Sequence, residues 1–223
     1  YGADTARLFM LSDSPPERDL DWTDAGIDGA WRYLNRLHRL IDEGLDTLAP
    51  VKGARPNSLD GKAAAAEKAL HKTIAGVSDD LDRFHFNKAV ARIREFSNQL
   101  EDLDGQDEGS RWMKRRGLET LVQLIGPMTP HLAEELWGLL GHQTLLAETP
   151  WPEADPAMLV DDSVTIAVQV NGKLRGTIEL PRDIDKQTAE TAALALPAVL
   201  QQLEGKAPRK VIVVPNRIVN VVA

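Results

Sequence analysis

Clusters of arginine and lysine are the side chains in this sequence whose types and spacing could do chemistry. Arg32, Arg36 and Arg39 follow one another at steps of four and three residues, which places them on one face of a helix. The clustered cations, which are the candidate binding residues, are Arg32, Arg36, Arg39, Arg111, Lys114, Arg115, Arg116, Lys173, Arg175, Arg209, Lys210 and Arg217. Such clusters bind phosphate groups, but on spacing alone they are equally typical of solvated helix faces that pair with neighbouring acids.

The net charge of the chain argues against nucleic-acid binding when it is taken alone. The formal charge is −8 at pH 7, whereas phosphate contact requires local positive potential. The charge is unevenly spread, since residues 151–223 hold 8 Lys or Arg against 9 Asp or Glu and residues 205–223 hold no acid. An acidic average with basic faces is therefore compatible with RNA binding but does not require it.

The sequence offers no catalytic site of its own. It has no Cys, which excludes disulfide frameworks, thiolate zinc sites and cysteine nucleophiles. The five His show no metal-ligand spacing, and His131 with Glu134 and Glu135 lacks the second His of a zinc-protease helix. No apolar run approaches the roughly 20 residues of a membrane helix. We therefore predict no catalysis, no metal and no membrane contact for this chain.

Hydrophobic periodicity predicts four or five antiparallel α-helices, packed as a bundle, over residues 1–150. Apolar residues from Ile27 to Leu48 recur at three- and four-residue steps behind Thr23, a predicted N-cap. Further helices are predicted over residues 3–11, 60–81, 86–100, 112–125 and 131–140. Thr129 is predicted to cap the last of these helices, with Pro130 at its first position. The polar run 102–110 is predicted to be a loop.

The spacing of apolar residues changes from a helical period to alternation after residue 150, where a small ββαββ domain is predicted. Residues 164–170 and 174–180 alternate as strands around Asn171-Gly172, a strong hairpin signal. A two-residue loop pairs Val168 with Arg175 on the buried face, so a bulge or a longer turn is expected. A helix over 188–203 must kink or split at Pro197, and strands follow at 211–214 and 218–222.

Together these patterns predict an α+β protein with three parts. The helical bundle covers residues 1–150, a linker containing Pro152 and Pro156 covers 151–162, and the small α+β domain covers 163–223. The chain enters a helical pattern directly and does not begin with Met. It is therefore expected to be part of a longer protein.

Motifs along nearly the whole chain resemble, in the same order, those of one family. The opening GADTARLF, then PPERDLDW and AGIDGAWRYLNRLHRL, resemble the stretch after the ATP-binding KMSKS loop of leucyl-tRNA synthetases. LVQLIGPMTPHLAEELW and PWPEAD resemble the end of the helical bundle shared by the synthetases for leucine, isoleucine, valine and methionine.

The tail narrows the resemblance to the bacterial leucine enzymes. AVQVNGKLRGTIELP and KVIVVPNRIVNVV resemble the C-terminal domain of that branch. An isoleucine enzyme would be expected to end in a Cys-rich zinc module, and a valine enzyme in a helical coiled coil. This chain has no Cys, and its tail is mostly strands.

The resemblance implies a tRNA-binding, catalytically inactive part of an ATP-dependent ligase that charges tRNA with leucine. The implied partners are tRNA(Leu) and the catalytic and editing domains of the same chain, which lie upstream in the family. ATP and Mg would serve those domains, and no cofactor is expected here. The implied protein is cytoplasmic and monomeric, with the bundle corresponding to the anticodon-binding domain and the clustered cations as phosphate contacts.

Two other classes of protein remain open on the residues alone. A helical adaptor with a small α+β interaction domain would bind proteins and would show no salt-sensitive RNA binding. A small-molecule enzyme is disfavoured, because no convergent set of titratable residues emerges. Neither class accounts for the ordered series of motifs.

Overall fold

The computed structural model describes residues 1–160, 163–203 and 205–222, and two units divide the chain at Leu159 and Val160. The first unit is helical. Its α-helices are α1 (Ala3–Ser12), α2 (Asp24–Asp42), α3 (Gly61–Asp82), α4 (Phe86–Glu101), α5 (Glu108–Ile125) and α6 (Pro130–Leu139). Short 3-10 turns cover Leu45–Thr47, Leu146–Glu148 and Pro156–Leu159. None of the helices in the described ranges has the length and apolarity that a membrane crossing requires.

Helix α5 lies at the centre of the first unit and packs against α3, α4 and α6. Its second half is buried on nearly every side, so that Leu118, Leu121 and Ile125 have no exposed surface. Gly117 allows α4 to approach closely, because a Cβ atom at that position would lie 2.4 Å from Leu100 Cδ2. The amphipathic stripes of α3, α4 and α6 are therefore buried partly against this helix, whereas α1 and α2 pack mainly against each other, α4 and α6.

The predicted start of this helix at Trp112 is wrong, because α5 begins at Glu108. Asp107 caps it, with a side-chain oxygen that accepts a hydrogen bond of 2.9 Å from the Ser110 amide. The hydroxyl of Ser110 also donates to Asp107, and these bonds lower the pKa of the Asp107 carboxyl. Residues 102–107 thus form the predicted loop, whereas residues 108–110, which were predicted to belong to it, are the capped first turn of the helix.

The start of α6 is capped by α1 and not by its own neighbour. Thr23 caps α2 as predicted, with its hydroxyl accepting from the Gly26 amide. Thr129 occupies the N-cap position of α6 and Pro130 its first position, as predicted, but the Thr129 side chain makes no capping hydrogen bond. The buried Asp4 of α1 accepts a 2.8 Å hydrogen bond from the Leu132 amide and contacts His131 Nδ1 at 2.9 Å. A carboxylate from a distant helix therefore supplies the acceptor that free N–H groups at a helix start require.

Arg7, three residues after Asp4, contacts the corner that joins α5 to α6. Its guanidinium donates to the carbonyl oxygens of Pro127 and Met128 at 3.1 and 3.2 Å. Asp4 and Arg7 thus satisfy donors and acceptors on both sides of Pro130. The GADTARLF and GPMTPHLAEELW motifs, more than 110 residues apart in sequence, meet at this corner.

The second unit is a four-stranded sheet with two helices, which confirms the predicted α+β class. Its elements are β1 (Ser163–Val170), β2 (Lys173–Pro181), α7 (Lys186–Leu194), α8 (Pro197–Leu203), β3 (Lys210–Val214) and β4 (Ile218–Val222). The strand order is β2-β1-β4-β3, with β1 and β4 parallel and the other pairs antiparallel. Pro197 begins α8, so the predicted helix is split at the proline.

The hairpin between β1 and β2 combines a two-residue turn with a bulge. Asn171 and Gly172 have φ angles of 50° and 79°, as a type I′ turn requires. The register shifts between Val168, which pairs with Gly176, and Gln169, which pairs with Leu174. One extra residue, Arg175, keeps the apolar side chains of both strands on the buried face, so the expected bulge is confirmed.

Most of the predicted linker, residues 151–159, lies against the helical unit. The indole N–H of Trp151 donates to Ser78 Oγ at 2.8 Å, and the amide of Asp155 donates to His71 Nδ1 at 3.1 Å. Burial lowers the pKa of His71, so its imidazole is neutral and accepts this bond at neutral pH. The last two residues of the predicted linker, 161 and 162, lie outside the described residues.

We predict that Asp4→Ala destabilises the helical unit by about 1–2 kcal/mol, because the Leu132 amide loses its acceptor. Chemical denaturation followed by circular dichroism measures the change. Glu17→Ala, which removes an equal charge from an exposed position, is the control and should leave the unfolding midpoint unchanged. Equal midpoints for the two variants would show that α1 does not cap α6.

In the second unit we predict that Gly172→Ala costs about 1 kcal/mol, since a side chain at φ 79° is strained. Gly176→Ala is the matched control in the same hairpin. Its Cβ would meet only Leu196 Cδ1, at an ordinary 3.6 Å. Thermal unfolding of both variants tests the assignment, and a larger loss for Gly176→Ala would contradict the turn geometry.

Candidate nucleic-acid interface

The three predicted arginines of α2 share one exposed face, as their spacing requires. Arg32 forms an ion pair with Asp28 at 3.0 Å, within the helix. Arg36 forms an ion pair with Glu101 at the end of α4. Arg39 is exposed and, within the described ranges, has no carboxylate at ion-pair distance. Two of the three cations are thus already paired, as solvated helix faces commonly are.

Arg36 and Glu101 influence each other's ionisation. The hydrogen bond from Arg36 lowers the pKa of Glu101, and the same bond raises the pKa of Arg36 further above its ordinary value. Both side chains are about half exposed, so solvent screens the pair and it contributes little to stability. Glu101 remains ionised at neutral pH and partly offsets the positive face of α2.

Arg111 and Arg115 of α5 are engaged inside the helical unit. Arg111 donates to the carbonyl oxygens of Thr47 and Leu48 at 2.8 and 3.4 Å. Arg115 donates to Ala49 and Leu140 carbonyls, and its side chain is only 11% exposed. These bonds tie the segment after α2 to the central helix. They explain both arginines without a ligand, so the phosphate contacts predicted for them have no geometric support.

A buried polar cluster surrounds Arg115. Glu119 accepts from Arg115 at 3.2 Å and contacts His142 Nε2 at 3.0 Å. The His142 ring stacks on Trp137 with ring centres 3.6 Å apart. Each charge in this cluster has a partner, which is the condition for burying it. The cluster therefore holds α5, α6 and the chain that follows α6 together.

Lys114 lies on the same side of the bundle as the α2 arginines. A groove of about 590 Å³ is lined by Arg36 and Arg39 of α2 and by Lys114 of α5, together with acidic residues that include Glu101 and Asp104. Arg116 lies apart from it, in a second pocket of about 610 Å³ that also contains Lys52. The structure thus brings Arg36, Arg39 and Lys114 together and separates Arg116 from them.

In the second unit most of the predicted cations meet at one end of the sheet. Lys173 opens β2 just after the hairpin turn, and Lys210 opens β3 opposite Val222, the last residue of β4. Because β1 and β4 are parallel, the hairpin turn and the start of β3 lie at the same end. Arg175 and Arg209 adjoin these positions. All four side chains are exposed, and the outer two strands are about 14 Å apart.

Arg217 lies elsewhere, in the turn between β3 and β4 at the opposite end of the sheet. Its carbonyl accepts from the Ala167 amide, and its side chain is exposed. Lys206, in the loop before β3, is also exposed and was not among the predicted residues. Sequence spacing could not group these residues, because the hairpin and the start of β3 are more than 30 residues apart.

Sequence spacing also missed Arg94 of α4. Its guanidinium carbon lies 4.7 Å from the centre of the Tyr33 ring, in the groove between α2 and α4. Arg94 and the nearby Arg92 are separated by Ile93 and followed by Glu95, a spacing that did not single out Arg94. Within the described residues, no group of three or more His, Cys, Asp or Glu is placed to hold a metal ion.

Comparisons with known proteins agree with this architecture. The family model described as the anticodon-binding domain of tRNA ligase matches residues 64–190. The chain is 64% identical over 222 residues to the leucine–tRNA ligase of Paramagnetospirillum magneticum and 60% identical to that of Rhodospirillum rubrum. Both matches cover the whole chain, which spans about a quarter of the length of these relatives (25% and 26%).

A solved structure shares the fold of the whole chain. It is the ternary complex of the agnB2 LeuRS of Agrobacterium radiobacter with tRNA and LeuAMS, with a TM-score of 0.83 and 32% sequence identity. The match covers 100% of this chain and 28% of the other. The family model covers more than half of the 223 residues, and the chain therefore belongs to the family of anticodon-binding domains of tRNA ligases.

Proposed function

We propose that this chain is the tRNA-contacting C-terminal portion of a bacterial leucine–tRNA ligase. It positions tRNA(Leu) while the catalytic and editing domains of the same protein carry out ATP-dependent leucylation and proofreading. ATP and Mg would serve those other domains. The full-length identity to leucine–tRNA ligases supports this proposal, and so does the similarity to a structure solved with tRNA.

The observation that carries the proposal for this chain's own residues is the row of cations at the hairpin end of the sheet. Lys173, Arg175, Arg209 and Lys210 are exposed there and span about 14 Å between the outer strands. A row of this length reaches several successive phosphates of one RNA strand. Contacts of this kind fix the position of an RNA without reading its bases.

The helical unit would supply a second contact surface. Arg39 and Lys114 line the groove beside α2, and Arg36 lies between them with its charge shared by Glu101. An approaching phosphate would compete with Glu101 for Arg36, so this surface suits a weak, salt-sensitive contact with the body of the tRNA. Arg32 would take part in the same way, by releasing Asp28.

A single monomeric copy is sufficient for this role. The two surfaces belong to separate units of one chain, and each would contribute modest affinity. Two weak contacts on one ligand strengthen each other through effective concentration. The −8 net charge opposes non-specific RNA binding, so binding would depend on these local basic surfaces.

We predict that Arg209→Glu with Lys210→Glu weakens binding of tRNA(Leu) and lowers the salt dependence by about one counterion for each lost phosphate contact. Fluorescence anisotropy measured over a series of KCl concentrations gives both quantities. Lys186→Glu is the charge-reversal control, because Lys186 begins α7, after the far end of β2, and pairs with Glu190.

Affinity and salt dependence that match the unaltered chain in the double variant would remove Arg209 and Lys210 from the interface. An equal loss in Lys186→Glu would mean that overall charge, and not this end of the sheet, governs binding. Absence of salt-sensitive RNA binding by the unaltered chain would contradict the proposed function and favour a protein-binding adaptor.

A further inference from the structure

We propose that Arg94, held on the ring of Tyr33 between α2 and α4, binds a backbone phosphate of the RNA. This inference rests on the proposed function and adds a specific anion site to it. The site is distinct from the clusters predicted by spacing, because Arg94 belongs to none of them. Its components come from two helices that the tertiary fold brings together.

Tyr33 provides a fixed platform for the guanidinium. The ring is 8% exposed, and its hydroxyl lies 3.4 Å from the hydroxyl of Ser97. Ser97 in turn donates to the Arg94 carbonyl at 2.7 Å. With the guanidinium carbon 4.7 Å from the ring centre, the cation–π contact restrains the side chain and leaves the charge in place.

Within the part of the chain that the structure describes, Arg94 has no carboxylate partner. Of the arginines around the groove between α2 and α4, Arg32 pairs with Asp28 and Arg36 pairs with Glu101. Across the described ranges, no carboxylate lies within ion-pair distance of Arg94, and its buried Nε has no hydrogen-bond acceptor. Burial raises the pKa of Tyr33, against the opposing effect of Arg94 and Arg36, so the phenol stays neutral and offers no counter-charge.

A guanidinium in this state is unusual for a purely structural residue. It carries five N–H donors, and leaving charged donors unpaired in a partly buried site is costly. Arginines that serve structure here, such as Arg111 and Arg115, have their donors directed to carbonyl oxygens. Arg94 differs from them, because its guanidinium lies over an aromatic ring and has no carboxylate partner among the described residues.

A phosphate group fits these features. Phosphate oxygens accept two parallel hydrogen bonds from a guanidinium, and because the Arg94 Nε is buried, its two terminal NH2 groups are the donors that can reach a phosphate. Arg36 follows Tyr33 by three residues on α2, and Arg94 lies over the Tyr33 ring, so the two cations are near each other. Arg36, Arg39 and Lys114 line the adjoining groove, so a phosphate chain running along α2 would meet several cations in succession. A nucleic-acid backbone is therefore the favoured ligand.

The test compares the salt dependence of tRNA binding for the whole 223-residue chain and three variants. Arg94→Met removes the charge while keeping an apolar chain over Tyr33, and Arg94→Lys keeps the charge but loses the planar fork. Arg83→Met is the matched control, because Arg83 is an exposed arginine paired with Asp79 at the end of α3. Circular dichroism verifies that each variant is folded.

Arg94→Met should bind more weakly, with the slope of log K against log salt reduced by about one. Arg94→Lys should keep the slope of the unaltered chain while losing part of the affinity, a pattern that a merely structural role would not produce. The loss should be equal for leucine tRNA and other tRNAs, because phosphates carry no sequence information.

Unchanged slope in Arg94→Met, or a reduction equal to that of Arg83→Met, overturns the site and leaves the proposed function standing. An unaltered chain that does not bind RNA overturns both. If Arg94→Met does not fold, the decision falls to Arg94→Lys: affinity equal to the unaltered chain overturns the site, and reduced affinity at constant slope supports it.

Discussion

The burial of α5 is the constraint on which the rest of the helical unit depends. From Gly117 to Ile125 this helix is surrounded, and burying a charged group beside it is costly unless the group has a partner inside the protein. That requirement explains why Arg111 and Arg115 turn toward backbone carbonyls and why Glu119 is placed between Arg115 and His142. The segments that leave α2 and α6 are held in place by these same bonds.

The same requirement separates structural cations from cations that are free to bind a ligand. A guanidinium that reaches the interior beside α5 has its donors used by carbonyls, whereas Arg32 and Arg36 of α2 pair with partly exposed acids. Arg36 illustrates the intermediate case, since its carboxylate partner is half exposed and an anion could replace it. Arg94 is the other exception, since it lies over a buried ring and has no carboxylate partner among the described residues.

In the second unit, topology and not spacing assembles the basic surface. The crossover through α7 and α8 makes β4 parallel to β1, which brings the start of β3 to the hairpin end of the sheet. Lys173 and Lys210 therefore lie at one end of the sheet, while Arg217 lies at the other. The bulge at Arg175 keeps the apolar face of β2 turned inward, so the cations of this hairpin stay in solvent.

The sequence by itself determined the α+β class, the helical periods, the cap at Thr23, the break at Pro197 and the hairpin, because each depends on residues close together in the chain. Tertiary structure alone decided the cap of α6, since Asp4 reaches it from another helix. It also decided which cations are available, because burial beside α5 is not readable from the spacing of Arg111 and Arg115. Arg94 and the cation row at the sheet end emerge only when distant segments pack, as contacts between separate elements carry no local sequence period.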